Sequence, residues 1–531
     1  MTTGSPGELI AAAEPTTPRP LAELIERLVD AGLLIGPGPA GEATVSGGIS
    51  YDSRRSRPGS VFVAIVGDHA DGHDFVGQAA ARGASAVVVE RPVGGLTIPR
   101  LVVRDGRRAL AEAACWWYAD PSRELDVVGI TGTDGKTTTS FLAAAALDAC
   151  GLRPGLVGTI ATRIGGRTEP DAGHQTTPEA PELQAALRAM VAAGDPVAIV
   201  ETTSHGLAFD RVAGTAYDAA IFTNLSHEHL ELHGTYEAYR AAKLSLFSGL
   251  TGSAGGRRSP VGIVNADDRE ADRFAAATRS AGARLLTYGV GGSVDVRGSD
   301  VDDTAEGIRF AVATEGWSGS LHLRLRGRFN VHNALAVVAL GRAWELDPEA
   351  VRAGIESVSA VPGRMERIAV GQPFELIVDF AHSPASLAAV LDELVALARA
   401  RGGGVIAVFG SAGERDTAKR PLMGRIAGER CRLVVVTDED PRGEDGDRIL
   451  DEIAIGAEAA GRRRGRDLLL VRDRGTAIAA AFERARRGDV VLLAGKGHER
   501  SIIGPAGPTP WDEAAAARQT LAAMGWGGQR P

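Results

Sequence analysis

The segment Gly132-Thr-Asp-Gly-Lys136-Thr-Thr138 follows an apolar run, Val127-Val-Gly-Ile130, and precedes a long Ala-rich helical signal. A strand that enters a glycine-rich turn and leaves it as a helix is the local design of a phosphate-binding loop. Gly132 and Gly135 let backbone N–H groups curl toward phosphate oxygens, Lys136 supplies a point charge, and the Thr137 hydroxyl can ligand Mg²⁺ at the helix N-terminus. Thr133, Asp134 and Thr138 complete the loop. The generic spacing would put its first glycine at Ile130, so the loop is a variant one. A bare Gly-Lys-Thr triplet is more often an ordinary turn; here the flanking strand and helix carry the reading that the chain spends a nucleoside triphosphate.

Other polar clusters also follow apolar runs. Glu201-Thr-Thr-Ser-His-Gly206 comes after Val197–Val200, where a second Mg²⁺-binding acid of a nucleotide site belongs; the plainer alternative is a carboxylate that caps a strand end. Thr223-Asn-Leu-Ser-His-Glu-His-Leu-Glu-Leu-His-Gly234 places three histidines and two acids after another strand, a density that packing does not explain. Lys243, in Tyr239-Arg-Ala-Ala-Lys-Leu-Ser-Leu-Phe247, lies on an amphipathic helix, where most lysines are surface residues. Gly327-Arg-Phe-Asn-Val-His-Asn333, Pro362-Gly-Arg-Met-Glu366 and Val378-Asp-Phe-Ala-His-Ser-Pro384 are, taken singly, turns and caps.

The elements that must position these groups read as α/β throughout. At 531 residues the chain exceeds one ordinary core, and three domains are expected. Residues 20–124 alternate β-branched runs with Ala-rich helical stretches, as in Ser60–Val66, Phe75–Arg82 and Ala84–Glu90. The phosphate loop opens a second series, with strands at Val197–Thr202, Ala219–Leu225 and Val261–Asn265 spaced for crossover helices and hence a parallel sheet. A third begins at Pro362, with strands at Glu375–Phe380, Gly404–Phe409, Arg432–Thr437 and Asp489–Ala494. It is Rossmann-like without a glycine-rich dinucleotide fingerprint. Residues 280–326 alternate short strands and polar turns. The first twenty residues read as a disordered lead and not as a secretion signal. Cys115, Cys150 and Cys431 are too scattered for a disulfide framework or zinc site, which points to the cytoplasm. No apolar run is long enough to span a bilayer. A net charge of −9 disfavours nucleic acid as a partner, and the basic run Arg462–Arg466 reads as a solvated loop.

In this order the clusters resemble one family, the Mur ligases, ATP-dependent amino-acid ligases of peptidoglycan precursor synthesis, over nearly the whole chain from about Ile49 onward. The segments GTDGKTT, ETTSHGL, TNLSHEHLELHG, the lysine of YRAAK, GRFNVHN and PGRME fall in the family's order. Asp52-Ser-Arg54, Asp71-Gly-His73, Thr176-Thr-Pro-Glu179, Gly413–Gly424 and Gly495-Lys-Gly-His-Glu499 look like the MurE-type branch, which adds a diamino acid to UDP-N-acetylmuramoyl-L-alanyl-D-glutamate. The resemblance implies an N-terminal UDP-substrate domain (1–124), a central ATP-binding domain (125–361) on a P-loop ATPase sheet, and a C-terminal Rossmann-like domain (362–531) that takes the amino acid. It implies ATP and Mg²⁺ as cofactors, small-molecule partners only, and a monomer.

Residue by residue, the resemblance gives Lys136, Glu201, His229 and Lys243 to catalysis. Thr137 and Glu201 would hold one metal ion; His229 and Lys243, carbamylated by CO₂ into a carboxylate-like anion, would serve the other. Asn333, Arg364 and Asp379, with His382 nearby, would hold the base and ribose. Tyr51, Ser53, Asp68, His69, Ala70, Thr176, Thr177, Thr203 and Arg211 would bind the UDP-linked substrate, Arg211 as a carboxylate clamp. Phe209 stands where relatives often carry a polar residue, and Glu228 replaces an aspartate. Arg415, Glu439, Asp440, Pro441, Arg442, Gly495 and Glu499 would receive the amino acid. Diaminopimelate-adding relatives usually carry Asp-Asn-Pro-Arg; the segment here is Glu439-Asp-Pro-Arg442. An ionised Asp440 would repel a distal carboxylate and favour L-lysine or L-ornithine, whereas Arg442, Arg415 and Glu499 suit meso-diaminopimelate, and both readings stand. The alternatives are another carboxylate-amine ligase of the folylpolyglutamate synthetase type, which lacks this first domain, and a non-catalytic scaffold on the same fold.

Overall fold

The computed structural model describes residues 4–39, 42–67, 70–170, 175–226, 230–250, 258–304 and 306–527. Three β-sheets organise it. Near the N-terminus the strands Ile49–Ser50, Val61–Val63, Ala86–Val89 and Arg100–Val102 form a four-stranded parallel sheet. The helix Gly106–Trp117 packs on it, burying Ala109, Ala113, Trp116 and Trp117.

The central sheet has eleven strands. Its parallel part runs, in spatial order, Pro154–Val157, Val197–Glu201, Asp126–Thr131, Ala219–Phe222, Val261–Asn265 and Arg284–Gly289. These strands read as continuous apolar runs because helices cover both faces: every residue of Asp126–Thr131 and Val197–Glu201 is buried. The phosphate-loop strand therefore lies between the strand ending in Glu201 and the strand leading into the histidine segment. All three carboxyl ends open into one crevice, where open α/β sheets bind ligands. The 280–326 stretch resolves into a continuation of this sheet, with Val296–Thr304, Gly307–Thr314 and Trp317–Leu323 as an antiparallel meander. Its apolar face packs, through Ile308, Phe310 and Leu321, into the core that also receives Leu335 of the helix Phe329–Ala343.

The third sheet has the order Glu366–Ile368, Glu375–Asp379, Val490–Ala494, Val405–Phe409, Leu433–Val436 and Leu468–Leu470, parallel but for its first strand. The strands match the expected ones to within one residue at either end. Arg462 and Arg464 of the basic run are consumed internally, by the Gly428 carbonyl (2.7 Å) and by Asp451 and Glu458 (2.6 and 2.8 Å).

The lead expected to be disordered is instead built into the fold from Gly4. Ser5 and Glu8 form a reciprocal capping box on the helix Pro6–Ala12. Leu9 enters the central core beside Leu187 and Met190. Glu14 then accepts from Tyr118 Oη (2.6 Å) and Trp117 Nε1 (3.3 Å) and pairs with Arg57 (2.7 Å). Two satisfied caps and a buried leucine offset the ordering entropy that a polar, Pro-rich composition suggested would win. Among the described residues no helix is long and apolar enough to cross a membrane.

Candidate active site

The phosphate loop takes its shape from two glycines. Gly132 has φ 152° and a Cβ there would sit 1.9 Å from Thr223 Oγ1; Gly135 has φ 84° and its Cβ would meet Asn333 Oδ1 at 2.4 Å. The loop is tied to the neighbouring strand end by the Thr133 N–H to the Asn224 carbonyl (2.9 Å) and the Asp134 N–H to Asn224 Oδ1 (3.0 Å). Lys136 Nζ curls back onto the carbonyls of Gly132 (2.9 Å) and Thr133 (2.7 Å), on the loop's inner side.

Beside the loop, Glu201 is fully buried. Thr137 Oγ1 (2.9 Å) and Thr159 Oγ1 (2.7 Å) both donate to its Oε2, and Ser140 Oγ donates to Oε1 (3.2 Å). Among the described residues no cation reaches this carboxylate. An anionic oxygen ringed by hydroxyls suits a hard divalent ion that takes oxygen ligands, so Thr137 and Glu201 fit the ion expected of them. Thr159 was missed because a threonine after the strand Pro154–Val157 has no local signature. Among the described residues no group of three or more His, Cys, Asp or Glu gathers as a metal cluster. His229, Glu228, Asp68 and His69 lie outside the described residues.

Lys243 departs from the surface lysine its amphipathic helix suggests. Its side chain is buried, Nζ donates to the Gly132 carbonyl at 2.7 Å, and it lies 4.8 Å from the Tyr239 ring centroid. The helix Tyr236–Ser248 thus aims an ammonium at the phosphate loop, 111 residues away in sequence.

Arg364 reaches over the loop from the C-terminal part, with Nη2 3.4 Å from Thr137 Oγ1 and its guanidinium 4.6 Å from the Phe380 ring centroid. Asp379 accepts from the N–H groups of Met365 and Ala381 (both 2.7 Å). Burial pushes its carboxyl above the usual range, against the pull of Arg364. Asn333 Nδ2 donates to Asn330 Oδ1 (2.7 Å), and His382 contacts the Phe380 carbonyl through Nδ1 (2.8 Å). His498 beside them is pushed down to about 3, by burial and by the Arg364 cation, and is neutral at working pH.

Thr177 Oγ1 donates to the Glu201 carbonyl (2.8 Å) and accepts from the Thr203 N–H (3.0 Å), while Thr176 Oγ1 lies 3.0 Å from Thr159 Oγ1. Arg211 pairs with Glu179 (2.8 Å) and donates to the Thr177 carbonyl (3.1 Å). Phe209 packs under two guanidiniums, Arg107 at 4.4 Å and Arg211 at 5.6 Å. Arg107 belongs to the first sheet's helix and was not singled out from sequence. In that first part Ser53 is buried and donates to Gln78 Oε1 (2.5 Å), Tyr51 donates to Glu182 (3.2 Å), and Ala70 is exposed. Asp71 and His73 are a turn-forming pair: Nδ1 lies 2.6 Å from the aspartate, Nε2 accepts from the Glu90 N–H (2.9 Å), and Asp71 is held down to about 2 by its bonds to His73.

Across the crevice, Glu439, Asp440, Arg442, Glu499 and Arg415 line the same cavity of about 830 Å³ as Lys136, Thr137, Lys243, Arg364 and Arg211. Pro441 and Gly495, adjacent in sequence to these residues or to their loops, are not among the residues that line it. Asp440 is countered by a cation: its Oδ1 accepts from Lys496 Nζ (2.8 Å) and from the Ile503 N–H (2.9 Å). Four buried polar atoms around this cavity, Arg211 Nε, Arg364 Nε, Glu439 Oε2 and Arg442 Nε, have no partner among the described residues, as expected where a ligand completes the bonding.

A phosphate loop, a buried acid and a lysine, sharing a cavity with Arg211 and a second polar wall from another sheet, define a nucleotide-dependent ligase cleft. Three family models match in order: "Mur ligase family, catalytic domain" over residues 46–118, "Mur ligase middle domain" over 130–341 and "Mur ligase, glutamate ligase domain" over 363–497. The chain belongs to the Mur ligase family. It is 49% identical over 489 residues to the UDP-N-acetylmuramyl-tripeptide synthetase of Roseiflexus sp. (strain RS-1), covering 91% of this chain and 95% of that one. It is 40% identical over 520 residues to the UDP-N-acetylmuramoyl-L-alanyl-D-glutamate–2,6-diaminopimelate ligase of Geobacter metallireducens, covering 94% and 100%. A solved structure of a ligase with that same 2,6-diaminopimelate title superposes with a TM-score of 0.65 at 29% identity, over 96% of this chain and 100% of the other. Folylpolyglutamate synthase of Mycobacterium tuberculosis shares the fold at a TM-score of 0.60 and 19% identity, over 79% of this chain.

Proposed function

We propose that this chain joins a diamino acid to UDP-N-acetylmuramoyl-L-alanyl-D-glutamate, spending ATP, in peptidoglycan precursor synthesis in the cytoplasm. The supporting observation is one cavity lined together by Lys136 and Thr137 of the phosphate loop, by Arg211, and by Asp440 and Arg442. A D-glutamate carboxylate oxygen attacks the γ-phosphorus of ATP and ADP leaves. The neutral amine of the incoming diamino acid then attacks the acyl carbon, its nitrogen gives up a proton to solvent, and phosphate leaves with the electron pair of the broken C–O bond. Negative charge gathers in one place, so the work of the residues is electrostatic.

Lys136 swings from the loop carbonyls onto the transferring phosphoryl group. Thr137 and Glu201 would hold Mg²⁺, which when bound would neutralise phosphate charge. Lys243, as a carbamate with His229, would hold a second ion; its buried side chain reaches the phosphate loop at Gly132. Asn333, Arg364 and Asp379 hold base and ribose. Thr176, Thr203 and Arg211 orient the glutamate, and Tyr51, Ser53, Asp68, His69 and Ala70 take the uridine end. The division into 1–124, 125–361 and 362–531 follows these three tasks, and the enzyme acts as a monomer. The test is phosphate release that requires both the UDP-dipeptide and an amino acid, run against meso-diaminopimelate, L-lysine and L-ornithine. A scaffold protein releases none.

A further inference from the structure

Two loops form the amino-acid wall. One follows the strand Leu433–Val436 and carries Glu439, Asp440 and Arg442; the other follows Val490–Ala494 and carries Gly495, Lys496 and Glu499. Arg474, fully buried and paired with Glu513 at 2.7 Å, holds the two strand ends together by donating to the Asp438 carbonyl (3.1 Å) and the Ala494 carbonyl (2.8 Å). Between the loops lies Lys496, only 1% exposed. Its Nζ is 2.8 Å from Asp440 Oδ1 and 2.5 Å from Glu499 Oε2. Both carboxylates line the cavity, and the ammonium sits behind them.

We infer that Lys496 is a specificity-determining residue, acting through Asp440 and Glu499 to set the net charge that meets the distal end of the incoming diamino acid. The inference rests on the ligase reading above. One cation between two carboxylates leaves this trio with one net negative charge, beside that of Glu439 on the same wall, to receive a single distal ammonium. A distal carboxylate is then met by Arg442 and Arg415 on the same cavity wall. Without Lys496 the cluster carries two negative charges and rejects any ligand that adds a third. Burial alone would depress a lysine, but Glu499 and Asp440 outweigh it and hold Lys496 protonated.

The experiment is a charge cycle read as the ratio of kcat/KM for L-lysine or L-ornithine to that for meso-diaminopimelate. K496M makes the cluster more negative and raises the ratio by about tenfold or more, given the strength of unit charges at these separations. D440N makes it neutral and lowers the ratio. The double variant K496M/D440N restores the charge of the wild type and brings the ratio back to within about threefold of it. K496Q carries the same charge change if K496M does not fold. Equal ratios in all variants, whatever the absolute rates, overturn the role of Lys496 and leave the ligase reading intact. A wild type that releases no phosphate with any amino acid overturns both.

Discussion

Glu201→Gln separates a metal-holding acid from a strand-end hydrogen-bond acceptor. The side chain is fully buried, with Thr137 and Thr159 donating at 2.9 and 2.7 Å. Glutamine keeps the volume and an acceptor oxygen, and the surrounding hydroxyls can rotate to meet its amide. What is lost is one negative charge. Removing a charge from a buried site does not weaken the fold, so the melting midpoint of the ligand-free protein stays at or above that of the wild type. The loss falls on the bound ion: a unit charge at about 4 Å and an effective dielectric near 20 corresponds to about 4 kcal/mol. At about 1.4 kcal/mol per decade, turnover falls roughly a thousandfold. Phosphate release measured across a Mg²⁺ titration, with saturating UDP-dipeptide and diamino acid, reads this directly. A thermal melt with and without Mg²⁺–ATP reads it independently, because the variant gains less stabilisation from the nucleotide. Turnover within about tenfold of the wild type, with an unchanged Mg²⁺ dependence, would refute the reasoning and reduce Glu201 to a cap.

Lys136→Ala is expected to abolish phosphate release while the circular dichroism spectrum is unchanged, because what is lost is one charge on the transferring phosphate and not a packing group; ample turnover would remove the ATPase assignment. Lys243→Ala should be inactive yet partly rescued by short-chain carboxylates that fill the carbamate position, and full activity without them would contradict the carbamate. Ser53→Ala should raise KM for the UDP-linked substrate with little change in KM for ATP, since it acts far from the reacting phosphate; equal KM values would contradict the first-part assignment. Deleting residues 1–15 exposes the surface that Leu9 covers and leaves Tyr118 and Arg57 without Glu14. Burial of one leucine contributes about 2 kcal/mol, so the melting midpoint should fall by a few degrees; an unchanged melt would show that the helix Pro6–Ala12 adds nothing.

What the chain's order of residues determined by itself is local. The phosphate loop is legible because its strand, its two glycines and its helix are contiguous, and each has a backbone reason to be there. The doubly covered strands announce themselves as unbroken apolar runs, so the α/β class and most strand positions follow directly. The polar residues that end those strands were likewise visible as clusters, and their order carried the family. Tertiary structure alone decided which of them meet. Whether Lys243 is a surface lysine or a buried one depends on the sheet order that brings its helix against Gly132. The fate of Asp440 depends on Lys496, 56 residues away, and so on the pairing of strands that places the two loops side by side. Thr159 and Arg107 gave no signal, because a lone threonine or arginine has meaning only through its neighbours in space. The N-terminal segment looked disordered by composition, yet two caps and one buried leucine suffice to dock it. In each case the deciding energy is long-range burial or charge pairing, which local spacing does not encode.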